Sequence, residues 1–459
     1  MNNSSDTFES DRSGLFRLSP AQSEIALAQI LTPSVPITIA HYVEISGSID
    51  HGVLLRASEI AADEFESPFL RILEIDGEPW QKIDRSLGIQ IPRIDLSQER
   101  DPEAAASMWM AGELESPFNI YLDRLFFTAL LHLGGNRSFW YARIHHVALD
   151  GLGALNLLKR VAEIYTTLLS QEIVLTRNFL SLREIAEREI SYRGSARFAA
   201  DQSYWFDYAS QAVKSSLEAR SASSMGSKLV ISGEIGSEVD SGRPIQGSER
   251  QLESTAFIAA FASYLGRMVG SESVWICLPV TGRTTAKLRA SGGAVSNVLP
   301  IRVGVPAGST VQDAITEAAK TVVGSLRHQL YRYEDIFRMK DSNLRERGFI
   351  GPLVNLMIFD QSIQLGDATG EYHVLSTGPI EDLAVNVYSG SGSSRFRVDF
   401  EANSAKYSSS RLEYYHSNFL DFYAEFEKAD RDTRIDDLHP ESLQLRYWVD
   451  VLDGLPELL

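Results

Sequence analysis

Residues Ser138–Ile164 read SFWYARIHHVALDGLGALNLLKRVAEI. The first part alternates, with Phe139, Tyr141, Arg143 and His145 set against Trp140, Ala142, Ile144 and His146, the period of two that a strand imposes. Asp150-Gly151 breaks the pattern. From there Leu152, Leu155, Leu158, Val161 and Ala162 recur at the spacing of one helical face. The stretch is therefore a strand, a turn and a helix, with two histidines at the C-terminal end of the strand. Open sheets often place their chemistry there. Neighbouring strand residues point to opposite faces, so His145 and His146 do not share a metal, and no metal site is expected.

Upstream, Leu18-Ser19-Pro20 opens a helix running to about Leu31, and Pro33 and Pro36 end it. A strand over Ala40–Ile45 and a helix over Asp50–Glu64 follow. A hairpin joins Phe69–Ile75 to Trp80–Ile83 about Asp76-Gly77. A helix over Asp101–Leu114 precedes the strand Leu125–Leu133, which meets Ser138–His146 across Gly134-Gly135-Asn136. Downstream, two polar helices are expected over Ser181–Arg193 and Arg197–Ala212. A Ser- and Gly-rich stretch, Ser215–Gly247, is interrupted only by a strand at Lys228–Ile235. The second half then repeats the grammar of the first. Helices over Ser254–Val269, Thr310–Tyr331 and Ser409–Phe426 accompany strands at Ser273–Pro279, Val298–Val303, Val354–Ile358 and an antiparallel pair, Leu383–Tyr388 with Phe396–Glu401. The class is α/β. We divide the chain into a disordered 1–14, an N-terminal lobe at 15–180 carrying the histidines, and a C-terminal lobe at 181–459.

With 459 residues the chain is long enough for two or three cores. Its net charge of −18 argues against nucleic acid and anionic membrane as partners. Its single cysteine, Cys277, excludes an intrachain disulfide. With no secretory signal pattern and no long apolar run, a cytoplasmic protein is expected.

His145-His146-Val-Ala-Leu-Asp150-Gly151 matches the HHxxxDG motif of the condensation domains of non-ribosomal peptide synthetases, a match expected by chance in a chain of this length about once in a thousand. Further segments resemble the family in order: Leu18-Ser-Pro-Ala-Gln22, Leu278-Pro279-Val280-Thr281-Gly282-Arg283, Asn297-Val-Leu-Pro300-Ile-Arg302, and Arg327-His328-Gln329-Leu-Tyr331-Arg-Tyr333-Glu334. Gly351–Phe359, Thr377-Gly378-Pro379 and Asp382-Leu383 resemble the first condensation domain of enterobactin-synthase-like assembly lines. The likeness spans roughly residues 15–430. It implies two chloramphenicol-acetyltransferase-like lobes in a V-shaped pseudo-dimer with a central tunnel.

The resemblance further implies a condensation enzyme of natural-product biosynthesis. An acyl or aminoacyl thioester, presented on the phosphopantetheine arm of a peptidyl carrier protein, would pass to an amine or hydroxyl of a small-molecule or carrier-bound acceptor. No cofactor would be bound. His146 would be the catalytic histidine, His145 its support, and Gly151 a helix-terminal N–H donor to the developing oxyanion. Asp150 would be structural and paired with an arginine. Phe69 occupies the position where the family usually has that arginine, which leaves Arg71 and Arg283 as candidates. Asn355, Ser296 and Asn297 are candidates for lining the tunnel, and Arg332 and Arg338, in the basic run Arg327–Arg347, for docking the carrier. The alternatives are an acyl-CoA-dependent or polyketide-associated acyltransferase, or a silent domain that recruits a partner. A free-standing enzyme is expected rather than an excised first domain.

Overall fold

The computed structural model describes residues 14–210, 215–218, 227–236, 247–338, 350–359, 361–389 and 396–438. In chain order these form β1 (Phe16–Arg17), α1 (Pro20–Leu31), β2 (Thr38–Ser46), α2 (His51–Phe65), β3 (Leu70–Ile75), β4 (Glu78–Ile83), β5 (Arg93–Asp95), α3 (Pro102–Glu115), β6 (Phe126–Gly134), β7 (Arg137–His145), α4 (Gly151–Leu169), α5 (Leu182–Arg193) and α6 (Ala196–Ala209). Then come β8 (Lys228–Ile235), α7 (Gly247–Val269), β9 (Ser273–Val280), α8 (Ala286–Ala290), β10 (Asn297–Gly304), α9 (Val311–Leu326), α10 (Tyr333–Arg338), β11 (Leu353–Met357), β12 (Ser362–Leu365), β13 (Ala368–Ser376), β14 (Leu383–Ser389), β15 (Phe396–Asn403) and α11 (Ser409–Lys428). Residues 1–13, expected to be disordered, and Lys340, Arg345 and Arg347 of the basic run lie outside the described residues.

The chain forms two compact units, one of residues 1–198, 281–296 and 361–379 and one of 199–280, 297–360 and 380–459. Each has a six-stranded sheet. In the first unit the order is β12-β13-β2-β7-β6-β5, antiparallel except for β5 beside β6. In the second it is β10-β9-β11-β14-β15-β8, with β11 parallel to both neighbours. Among the described residues no helix is long and apolar enough to cross a membrane.

The division at residue 180 is corrected. The hairpin β12–β13 pairs along β2, Thr369 opposite Ser46 through Ser376 opposite Ala40, and so belongs to the first unit. The loop 281–296 belongs there too. Backbone pairing, not chain order, decides membership, and the hairpin satisfies a strand edge laid down more than 300 residues earlier.

In the first unit, β7 is packed on both faces. Phe139 and Tyr141 join a core with Ala106 and Met110 of α3. The alternate residues Trp140, Ala142 and Ile144 face a narrow space also lined by Ser58 of α2 and by Ala154, Leu157, Leu158 and Val161 of α4. Those four residues of α4 lie three and four apart, one stripe of the helix. The alternation of the sequence thus becomes two packed faces, with His145 on one parity and His146 on the other.

Candidate active site

The turn between β7 and α4 is built around Asp150. Its extended backbone makes it the N-cap of α4, and its Oδ1 accepts the Gly153 N–H at 2.8 Å. Its Oδ2 accepts Arg283 Nη1 at 2.5 Å and the backbone N–H groups of Val295 and Ser296, each at 2.9 Å. The side chains of Arg283 and Asp150 are 0% and 1% exposed. Burial pushes the Asp150 carboxyl upward, but the Arg283 guanidinium and these hydrogen bonds outweigh it and hold the group below the usual carboxylate range.

Arg283 also donates Nη2 to the carbonyls of Gly292 and Gly293, at 3.2 and 3.1 Å. One carboxylate and one guanidinium therefore latch the whole loop 281–296 onto the histidine turn. Gly282, at φ 65°, supplies the left-handed turn that precedes Arg283, and a Cβ there would stand 2.6 Å from the Val295 carbonyl. Arg283 is thus the partner of Asp150. Arg71, the other candidate, instead pairs with Asp84 at 3.3 Å. Phe69 is buried apolar filling.

Gly153 was missed in the sequence, although Gly-Leu-Gly at a helix start is a visible signal. A Cβ on it would meet Leu149 Cδ2 at 2.8 Å, Gly293 O at 3.2 Å and Arg283 Nη2 at 3.3 Å. The missing side chain lets the latched loop approach the helix. Gly153→Ala is expected to lower stability by about 1–3 kcal/mol, despite alanine's higher helix propensity, because overpacking outweighs it. Urea unfolding checks this, and an unchanged or raised midpoint would contradict the close approach.

His145 is fully buried. Its Nδ1 accepts the Val147 N–H at 3.2 Å, and its Nε2 lies 3.1 Å from Gln29 Oε1. An accepting Nδ1 makes Nε2 the protonated nitrogen and the donor to Gln29. Phe118 stacks on the ring at 4.8 Å. Burial, and then the neighbouring His146, push its pKa down to about 3. Both ring nitrogens are thus engaged and the ring is closed to solvent, which fixes His145 within the turn.

This lowered pKa has a sign. Between the ordinary value near 6.5 and about 3 the unfolded chain takes up a proton that the folded chain refuses, so His145's contribution to stability is complete above the former and declines as pH falls below it. By NMR, the His145 ring resonances should stay flat from pH 8 to 5, and a midpoint above 5 would refute the buried neutral tautomer.

Two glutamines of α1 were also missed. Gln22 donates to the Val147 carbonyl at 3.0 Å and exchanges amide bonds with Gln81 at 2.8 and 2.7 Å. Gln29 accepts from His145 and from the Ile37 N–H. They share the buried face of α1 with Ala21 and Ala26, while Leu27, Ile30 and Leu31 are exposed. Polar residues seven apart on a helix whose apolar residues do not form the buried stripe were the available signal.

His146 is half-buried, and its backbone N–H donates to Ile37 O at 2.9 Å. Gly151 is exposed and is the first residue of α4, where a helix leaves N–H groups without intrahelical partners. Ser296 contributes its backbone N–H to Asp150.

The remaining candidates lie in the second unit. Asn297 does not offer its amide to a ligand. Its Nδ2 donates to the carbonyls of Gln329 and Tyr331, at 2.9 and 2.7 Å, and its Oδ1 accepts from the Val298 and Tyr333 N–H groups. It pins a loop. Asn355 on β11 is half-buried and donates to Asn386 Oδ1 at 3.2 Å. Arg332 is 9% exposed, with Nε 3.5 Å from Glu334 Oε2, too buried to serve as a docking charge. Arg338 is more exposed and lies 3.4 Å from Asp335. Among the described residues no group of His, Cys, Asp and Glu is arranged to hold a metal.

The family model described as Condensation domain matches residues 13–429. The chain belongs to the condensation domain family. A dimodular nonribosomal peptide synthase of Bacillus subtilis (strain 168) is 34% identical over 412 residues, which cover 88% of this chain and 17% of that protein. Enterobactin synthase component F of Escherichia coli (strain K12) is 27% identical, over 76% of this chain and 28% of its own length. This condensation domain therefore spans less than a third of either relative. Among solved structures, a mutant of the starter condensation domain of rhizomide synthetase RzmA in complex with C8-CoA has a TM-score of 0.85 at 30% identity, covering 95% of this chain and 99% of that one. The first condensation domain of the CDA synthetase has a TM-score of 0.82 at 30% identity, covering 93% and 99%. The resemblance to the enterobactin system and the α/β class expected from sequence both hold.

Proposed function

We propose that this chain catalyses condensation: an acyl thioester on the phosphopantetheine arm of a carrier protein is attacked by an amine of an acceptor. The amine nitrogen bonds to the carbonyl carbon, the carbonyl oxygen takes the negative charge, and the carbon–sulfur bond then breaks. The amine gives up one proton and the departing thiolate gains one. An α-amine, with a pKa near 8, needs little help to deprotonate, so His146 chiefly orients it and steadies the charge. The Gly151 N–H, at the positive end of α4, faces the developing oxyanion. His145, Asp150 and Arg283 hold the turn. The observation that carries this reading is the intact histidine turn, in which His145 and Asp150 are locked away and His146 is left half-exposed.

The first or starter condensation domains among its structural neighbours favour an acyl donor over a peptidyl one. A second reading, an acyl-CoA donor, is favoured by the C8-CoA held in one of those neighbours. Mass spectrometry of products from matched acyl-carrier and acyl-CoA donors, with an aminoacyl thioester acceptor, tests both. Amide formation from neither donor overturns the enzymatic reading and leaves partner recruitment.

A further inference from the structure

Gln29, in the last turn of α1, is 2% exposed, and every hydrogen-bonding position of its amide is filled. Its Nε2 donates to the carbonyls of Thr32 and Val35, each at 3.3 Å. Its Oε1 accepts the Ile37 N–H at 2.9 Å and faces His145 Nε2 at 3.1 Å. Burying an amide is costly unless it is bonded, and α1 buries this one while leaving Leu27, Ile30 and Leu31 exposed.

The main chain decides which way the amide points. A backbone N–H only donates and a carbonyl only accepts, so Ile37, Thr32 and Val35 together turn the Gln29 oxygen toward the ring. His145 Nε2 must then carry the proton. The Val147 N–H, on Nδ1, demands the same tautomer from the other side of the ring. Gln29 and Val147 thus set one ring from two directions.

Two routes lead from this amide to His146. Ile37, held by its N–H, offers its carbonyl to the His146 N–H at 2.9 Å. His145, held at Nε2, accepts the Val147 N–H at 3.2 Å. Those two N–H groups belong to the peptide planes on either side of the His146 Cα. Each plane is rigid, so holding both restrains φ and ψ of His146 and the direction in which its side chain leaves the chain.

We propose that Gln29 is a positioning residue for the transfer reaction, fixing through Ile37 and His145 the backbone from which His146 presents its ring to the acceptor. This rests on the acyl-transfer reading and adds a residue to it. Gln29 touches no reacting atom; it acts only through His146.

The test uses the full chain with Gln29→Leu, which fills the space without accepting a hydrogen bond, and Gln29→Glu, which keeps an oxygen toward Ile37 and His145. NMR reads the His145 tautomer and the exchange of the His146 and Val147 amides; mass spectrometry reads transfer from an acyl-carrier thioester to an amine. In Gln29→Leu the two amides should exchange about tenfold faster or more. Its kcat per folded molecule should fall by about 10–100-fold with KM within about twofold, the signature of a misplaced group. Gln29→Glu should recover most of that loss. In a His146→Ala background Gln29→Leu should cost nothing further, because residues that act as a unit are not additive. A full additional loss there, or unchanged kcat and exchange in Gln29→Leu, overturns the inference. Should Gln29→Leu not fold, the unaltered protein still decides: a neutral His145 protonated at Nδ1 overturns it, and one protonated at Nε2 upholds it. The expected tautomer and exchange pattern without transfer from any donor uphold the geometry and overturn the acyl-transfer reading.

Discussion

Asp150→Ala is expected to lower the stability of the chain by about 3–5 kcal/mol, the range for removing one partner from a buried ion pair. The loss has two parts. Arg283 is left as a buried charge with only carbonyls to face, and three backbone N–H groups lose their acceptor. Replacing both partners, as in Asp150→Ala/Arg283→Met, should recover part of the loss because the uncompensated charge goes with its carboxylate. Urea midpoints of the two singles and the double form the measurement. A stable but inactive Asp150→Ala protein would defeat the structural role.

The same latch predicts a pH dependence. The Asp150 carboxyl is held below its unfolded value near 4, so its contribution is complete above that value and is lost as pH falls toward the folded one. Acid unfolding of Asp150→Ala should accordingly be less steep in this range than that of the parent.

His146→Ala should behave in the opposite manner. Transfer to a hydroxyl acceptor is expected to fall by about 10²–10⁴, because an alcohol needs its proton removed as it attacks. Transfer to an α-amine should fall less, since that nucleophile is already partly deprotonated near neutral pH. Folding should shift by no more than about 1 kcal/mol, as for a half-buried side chain outside the latch. Product formation followed by mass spectrometry for the two acceptor types gives the comparison. Equal losses for both would assign His146 to charge stabilisation, and no loss for either would remove it from the chemistry.

Much of the fold was legible because it is local. The Asp-Gly turn at 76–77, the caps at Asp50, Asp101, Ser181 and Ser408, and the alternation along β7 are written in neighbouring residues. The bounds of β8 at Lys228–Ile235 were read correctly even within a Ser- and Gly-rich stretch. The hairpin β12–β13 was not anticipated, although Ile363, Leu365, Tyr372 and Val374 flank a Gly-Asp turn. Its partner strand lies in the other half of the sequence, and no local pattern names a distant partner.

The site divides along the same line. The histidine turn stood out as a motif, but the identity of Arg283 as the partner of Asp150 depends on a loop arriving from 133 residues away. Asn297 and Arg332 look like exposed functional groups in the sequence. They are drawn inward by carbonyls and carboxylates that the sequence does not place.

The crossing hairpin also sets an order of events during synthesis. When the ribosome has produced β7 and α4, the first unit still lacks both strands of the hairpin, β13, which covers the edge of β2, and β12 beyond it. Those strands emerge roughly 200 residues later, a delay on the order of ten seconds or more at ordinary elongation rates. Throughout that interval β2 offers an open ladder to any other strand, including one from a neighbouring nascent chain. Ribosome spacing and chaperone supply should therefore govern the yield of this protein, and a fragment ending near residue 200 should aggregate where the longer chain does not.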